Sequence, residues 1–165
     1  MPNKETGKIT IRTGRKEDLP GVLELIRELA EYERAPHEVE NTLELMEEDG
    51  FGKNPIYGFL VAEEDRRIIG LSLYYFRYST WKGRMLYLED LIVTQSHRKQ
   101  GVGKKLFDAT IGEAQRTGSR GMIWQVLEWN EPAFEFYRKY NPVIDPQWVT
   151  CRLTREQIKN YKPVS

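Results

Sequence analysis

Six residues, Arg98-Lys99-Gln100-Gly101-Val102-Gly103, constrain this chain more than any other segment. They follow an apolar run at 85–93 and open a stretch in which Val102, Leu106, Phe107, Ile111 and Ala114 recur at helical spacing. A strand, a glycine-rich turn and a helix in that order bring the unsatisfied N–H groups of a first helical turn to one point, with the positive end of the helix dipole. Such a point suits a phosphate or pyrophosphate. Glycines at 101 and 103 permit a sharp turn and close backbone approach, and Lys99, Lys104 and Lys105 add positive charge. Two commoner phosphate loops are excluded. The Walker pattern needs Gly-Lys-Ser/Thr, but Gly103-Lys104 is followed by Lys105. The dinucleotide fingerprint needs a third glycine where Leu106 stands. From these residues alone, an ordinary glycine-rich helix start stays open as an alternative.

The rest of the pattern gives a mixed α+β layer arrangement in the order β-α-α-β-β-β-α-β-α-β. Alternation predicts a strand at 8–13, and strand-like runs at 57–62, 68–77 and 85–93 form an antiparallel meander with turns at 63–67 and 78–84. Asp18 stands as an N-cap before a helix with Leu19, Val22, Leu23, Ile26, Leu29 and Ala30 on one face. A short helix at 42–48 is expected to stop at Gly50. Further strands are expected at 121–127 and 148–153, a helix capped by Asn130 with Pro132 in its first turn, and a terminal helix at 154–161. Residues 1–165 read as a single domain, with no repeat and no linker.

Composition narrows the partners. Positive and negative side chains number 25 each, so no net charge draws the chain to nucleic acid or an anionic membrane. No apolar run has the length of a membrane span, and the first ten residues are polar. Cys151 is the sole cysteine, and His37 and His97 are isolated, so neither an intrachain disulfide nor a metal cluster is expected. The chain reads as cytoplasmic and metal-free.

Three stretches carry a family resemblance: Glu28-Leu29-Ala30-Glu31-Tyr32-Glu33, Tyr87-Leu88-Glu89-Asp90-Leu91-Ile92-Val93, and Trp129-Asn130-Glu131-Pro132-Ala133-Phe134-Glu135-Phe136-Tyr137. Together with Arg-x-x-Gly-x-Gly, with 48–52 and with Tyr74-Tyr75-Phe76, they resemble the GNAT superfamily of N-acetyltransferases, and within it the spermidine/spermine and thialysine acetyltransferases. The resemblance runs from about residue 9 to 153 in the family's order. It implies the GNAT fold, a mostly antiparallel mixed sheet whose two central parallel strands splay apart around the cosubstrate acetyl-CoA. By the same resemblance Leu91, Ile92 and Val93 would hydrogen-bond the pantetheine arm through their backbone. Lys99, Gln100, Gly101, Val102, Gly103 and Lys104 would wrap the pyrophosphate, with Arg98 opening the motif and Asn130 and Pro132 beside the cofactor. A homodimer is implied too, with the C-terminal strand helping to build the partner's site.

Acetyl transfer to an alkyl amine needs a proton acceptor, because freeing a lone pair at pKa near 10.4 costs about 4.6 kcal/mol at neutral pH. Glu89 is the expected base, directly or through a water, and strand alternation sets it on the opposite face from Asp90. Two acidic residues within an apolar run cost desolvation unless compensated, and a cationic substrate would compensate. Pairing with Arg84 or Arg98 is the structural alternative. Tyr137 matches the family's catalytic acid, although its place on a stripe with Ala133 and Tyr140 would also suit a core tyrosine. Tyr32, Glu33 and Trp81 match positions near the acceptor pocket, where carboxylates and aromatic faces suit an ammonium chain.

The chain departs from the polyamine-specific pattern at Ser79-Thr80, where those relatives carry Asp-Pro and thialysine-preferring ones carry Ser-Thr. Asn141-Pro142 replaces the usual Gly-Ala, and the loop before Trp148 is shorter than in those relatives and lacks the acidic residues that bind distal substrate charge there. A lysine-like amine is favoured over a long polycation by this loss of charge. The other readings are an acetyltransferase for a different amine, such as an antibiotic or peptide, and a CoA-binding regulatory module without turnover.

Overall fold

The computed structural model describes residues 7–163, which form two compact units divided between Leu127 and Glu128. In the first, five strands lie side by side in chain order: β1 (Thr10–Thr13), β2 (Gly58–Glu64), β3 (Arg67–Ser79), β4 (Gly83–Val93) and β5 (Met122–Ile123). The first four are antiparallel, and β5 runs parallel to β4. Short turns join β2 to β3 and β3 to β4. Asp65 and Arg66 both take positive φ (48° and 66°), the twist that matches a two-residue hairpin. At the other hairpin the strands extend to Ser79 and Gly83, closer than the expected turn at 78–84, and the Ser79 hydroxyl accepts from the N–H groups of Trp81 (3.3 Å) and Lys82 (3.2 Å).

Helices cover both faces of this sheet. α1 (Leu19–Tyr32) packs Leu19, Val22, Leu23 and Leu25 onto Phe59, Val61, Leu71 and Ile92, with Met46 of α2 (Leu43–Phe51) in the same cluster. Leu25 joins this core although the helical stripe read from the sequence omits it. α2 runs through Gly50 instead of stopping there, since the Thr42 hydroxyl caps its start at Leu45 N–H and the turn closes only at Gly52. α3 (Val102–Arg116) lies on the other face. A Cβ on Gly70 would stand 2.8 Å from Leu106, so glycine is what lets helix and strand meet. Thr110, fully buried, bonds Ser72 across that interface at 2.6 Å.

Asp18 stands at the N-cap position of α1, as expected, but its side chain makes no capping hydrogen bond to that helix. Its carboxylate takes both Arg12 Nη groups (2.7 and 2.8 Å) and the Arg15 N–H (2.7 Å), while Arg12 Nε reaches Glu63 at 2.8 Å. The guanidinium therefore holds Asp18 below the ordinary carboxylate range and ties β1 to β2.

The expected strand at 121–127 contracts to two residues, pairing Leu86 with Met122 and Tyr87 with Ile123. The cause lies in β4. Leu88 faces Tyr74 and Asp90 faces Leu73, so Glu89 is an extra residue, a β-bulge that bends the strand just beyond its last contact with β5. Past Tyr87, β4 continues to Val93 with no strand of the described residues against that edge. This parting of parallel neighbours agrees with the splay that the resemblance implies.

In the second unit, α4 (Glu131–Arg138) starts where Asn130 Oδ1 accepts the Ala133 N–H at 3.3 Å, with Pro132 in the first turn. Asn141 takes φ 52°, so the left-handed turn survives the loss of glycine there. α5 (Arg155–Asn160) is closed by a reciprocal Thr154–Gln157 cap. The expected strand at 148–153 does not form in this chain: Trp148, Val149 and Leu153 are exposed, and a lone extended segment has no ladder to satisfy its backbone.

Candidate functional site

The bulge decides the chemistry of β4. Because it inserts one residue, Asp90 lies in register with Leu73 and on the face packed by α1, the same face as Tyr87 and its partner Tyr75. Alternation alone would separate Glu89 from Asp90. Instead both carboxylates act on one neighbourhood, and Glu33 from the C-terminal cap of α1 completes it. Burial, then the charges of Glu89 and Glu33, pushes the Asp90 carboxyl up to about 7. Burial also raises Glu33. Tyr75 and Tyr87 stack with centroids 5.1 Å apart, and both phenols are raised by burial and then by the charge of Glu89. Three carboxylates and two tyrosines at one place are costly in the absence of a cation and favourable in its presence.

Neither basic residue proposed as a structural partner is spent on these acids. Arg84 lies over the Phe76 ring at 5.0 Å. Arg98 donates from Nε to the Val93 carbonyl (2.9 Å) and from Nη2 to Glu28 (3.3 Å), with its guanidinium 5.3 Å from the Tyr32 ring centroid. Tyr32 thus sits beside the turn at 98–101 as well as beside Glu33 in sequence. Trp81 stands at the tip of the β3–β4 hairpin as an 85% exposed residue, so Ser79 and not Trp81 anchors that turn.

The phosphate-type turn has the form expected of it. Lys99 (φ 61°) and Gly101 (φ 79°) both take left-handed backbone, and Gly101 is the N-cap of α3. No side chain caps this helix, and its first turn holds no acidic residue. A Cβ built on Gly101 would meet nothing within 4 Å, so the space beside the turn is open to a ligand. Val102 is buried and fixes the helix start to the core, while Lys99, Gln100 and Lys104 are turned outward or half-outward around it. Leu91, Ile92 and Val93 pair with Ser72, Leu71 and Gly70 on one edge of β4, and no strand of the described residues pairs with the opposite edge there. Tyr137, on α4, is half-buried with its ring edge-on to Phe136 at 5.0 Å.

Sequence reading missed three contributors. Tyr75 and Tyr87 enter the carboxylate cluster through cross-strand pairing, which no local pattern announces. Glu28 was quoted within a resemblance but given no task, and the structure joins it to Thr94, Gln95 and Arg98. Among the described residues no group of three His, Cys, Asp or Glu could hold a metal ion, and no helix is long and apolar enough to cross a membrane.

The family model that matches most of this sheet and the glycine turn of α3 sets the chain among the acetyl-transferring group transferases. The chain belongs to the Acetyltransferase (GNAT) family, whose model matches residues 22–141. It is an amine N-acetyltransferase of that family, whose members use acetyl-CoA. It is 40% identical over 138 residues to a thialysine N-epsilon-acetyltransferase from Bos taurus, covering 79% of this chain and 81% of the relative. It is 32% identical over 158 residues to a human spermidine/spermine N(1)-acetyltransferase-like protein 1, covering 90% of this chain and 23% of that longer one. Among solved structures, an aminoglycoside acetyltransferase from an uncultured soil metagenomic sample, in complex with trehalose, shares the fold. The match has TM-score 0.74 and 24% identity, over 88% of this chain and 95% of the other.

Proposed function

We propose that this chain acetylates the primary amine of thialysine or a comparable lysine-like molecule, with small diamines as poorer acceptors. The observation that carries this reading is the convergence of Glu33, Glu89 and Asp90 beneath Tyr75 and Tyr87, a setting whose electrostatic cost a bound ammonium group relieves. Relatives named for thialysine at 40% identity support the acceptor, as do Ser79-Thr80 at the hairpin, where no carboxylate is offered to a distal charge. Acetyl-CoA supplies the acetyl group as a thioester. Its pyrophosphate is held by the backbone of 99–104, introduced by Arg98, its pantetheine arm by Leu91, Ile92 and Val93, and Asn130 and Pro132 lie beside it. Glu89, at a bulge that exposes it, accepts the ammonium proton directly or through a water, and Asp90 keeps the acceptor oriented. The neutral nitrogen forms the new C–N bond as the C–S bond breaks. The Tyr137 hydroxyl protonates the departing sulfur, and the second proton that the nitrogen sheds on becoming an amide restores the phenol.

The two units operate as one acetyltransferase domain in this reading, which the family match across both supports. It acts as a cytoplasmic homodimer. The exposed extended segment 148–153, with Trp148, Val149 and Leu153, would become a strand by pairing with a second copy.

A thiol-release assay over an amine panel tests the acceptor. Turnover is expected to be best with thialysine, lower with spermidine and lowest with an aminoglycoside. Preference for the aminoglycoside would overturn the acceptor, and CoA binding without release against any amine would indicate a regulatory module. Gly101→Val checks the turn separately. A β-branched residue at φ 79° is expected to cost about 1–2 kcal/mol of stability in denaturant titration. The same change should weaken CoA binding at least about tenfold by calorimetry, since its side chain enters the open space beside the turn.

A further inference from the structure

One carboxylate away from the acceptor cluster does more than decorate a helix surface. Glu28, near the C-terminal end of α1, accepts from the Thr94 hydroxyl through Oε2 (2.9 Å) and from the Gln95 backbone N–H through Oε1 (2.8 Å). The same Oε1 receives Arg98 Nη2 at 3.3 Å. All three partners lie in the connection between the end of β4 and the glycine turn. Arg98 in turn holds the Val93 carbonyl at 2.9 Å and lies over Tyr32, one helical turn beyond Glu28. The connection needs outside support, because it holds Lys99 and Gly101 in left-handed backbone and no side chain caps the helix that follows.

We propose that Glu28 is a positioning residue for the cofactor's diphosphate, acting through Thr94, Gln95 and Arg98 without touching the cofactor. It fixes the start of the 94–101 connection against α1, so that the N–H groups of the turn are already aimed when the anion arrives. This inference rests on the acetyltransferase reading and adds a residue to its cofactor site. A preorganised turn binds more tightly because less ordering remains to be done on binding. The arrangement also seats the cofactor turn on the helix that ends in Tyr32 and Glu33.

The test uses full-length Glu28→Ala and Glu28→Gln, with calorimetry of CoA and of 3′-phospho-ADP, steady-state kinetics and thermal melts. Glu28→Ala is expected to weaken both ligands about tenfold, as loss of charge-assisted hydrogen bonds does. The KM for acetyl-CoA should rise in step, while kcat and the amine KM stay within about twofold. Glu28→Gln can still accept from Gln95 but lacks the charge that holds Arg98, so it should fall between. A folded Glu28→Ala or, should that variant not fold, a folded Glu28→Gln with wild-type CoA affinity overturns the proposal. So does an equal loss in kcat and both KM values together with a lowered melt, which marks a merely structural role. Failure of the wild-type protein itself to bind CoA removes the acetyltransferase reading and this inference with it.

Discussion

Tyr137→Phe is expected to lower kcat by about a hundredfold or more while leaving CoA affinity within about twofold of wild type. The substitution removes one oxygen and keeps the ring, so the edge-on contact with Phe136 at 5.0 Å and the fold of α4 persist. The Asn130 cap that starts this helix is also untouched. What disappears is the donor proposed to neutralise the departing sulfur. A thiolate expelled without a proton leaves more slowly, and the loss belongs to the transition state instead of to ground-state binding. Steady-state thiol release with calorimetry of CoA reads both quantities. Unchanged turnover would remove Tyr137 from the chemistry and return it to the stripe of Ala133 and Tyr140.

Asp90→Asn should make the protein more stable and less active. In the folded chain burial and the neighbouring Glu89 and Glu33 raise the Asp90 carboxyl from 3.8 to about 7, so folding disfavours its ionised form. Between those two values the unfolded chain has released its proton and the folded chain has kept it. The unfolded state then binds fewer protons, and stability falls as pH rises. Wild type and variant are accordingly expected to match near pH 4. The variant should gain progressively up to about pH 7, by on the order of 2 kcal/mol once solvent screening of a half-buried group is allowed for. Urea titrations at several pH values measure the gap. A gap constant across that window would mean Asp90 is not desolvated, and the acceptor site would lose its electrostatic basis. Activity should drop in the same variant because a neutral amide neither attracts the ammonium group nor orients it. A site that costs stability to serve a substrate is a recurrent pattern in enzymes.

Local signals were enough for much of this architecture. Thr42, Asn130 and Thr154 each carry an oxygen that bonds an N–H at the start of a helix, and such a cap involves only four consecutive residues. Asp65-Arg66 and Gly101 read as turns because backbone preference is set within one or two positions. The stripe of α3 was legible down to Leu106 and Phe107, whereas burial of Thr110 was not, because its hydroxyl is satisfied by Ser72 from 38 residues away.

The sequence by itself therefore determined the strand–turn–helix at 85–116, the Asn130 cap, and the residue types from which an acetyl-transfer site is built. Tertiary structure decided how those residues meet. A single inserted residue in β4 cancelled the alternation that would have parted Glu89 from Asp90, and it cut β5 to two residues. Register is a property of two strands together, so neither strand's own pattern contains it. The raised Asp90 carboxyl, set first by burial and then by Glu89 and by Glu33 at the end of α1, and the grip of Glu28 on 94–98 both depend on α1 being packed against β4, a contact between segments far apart along the chain.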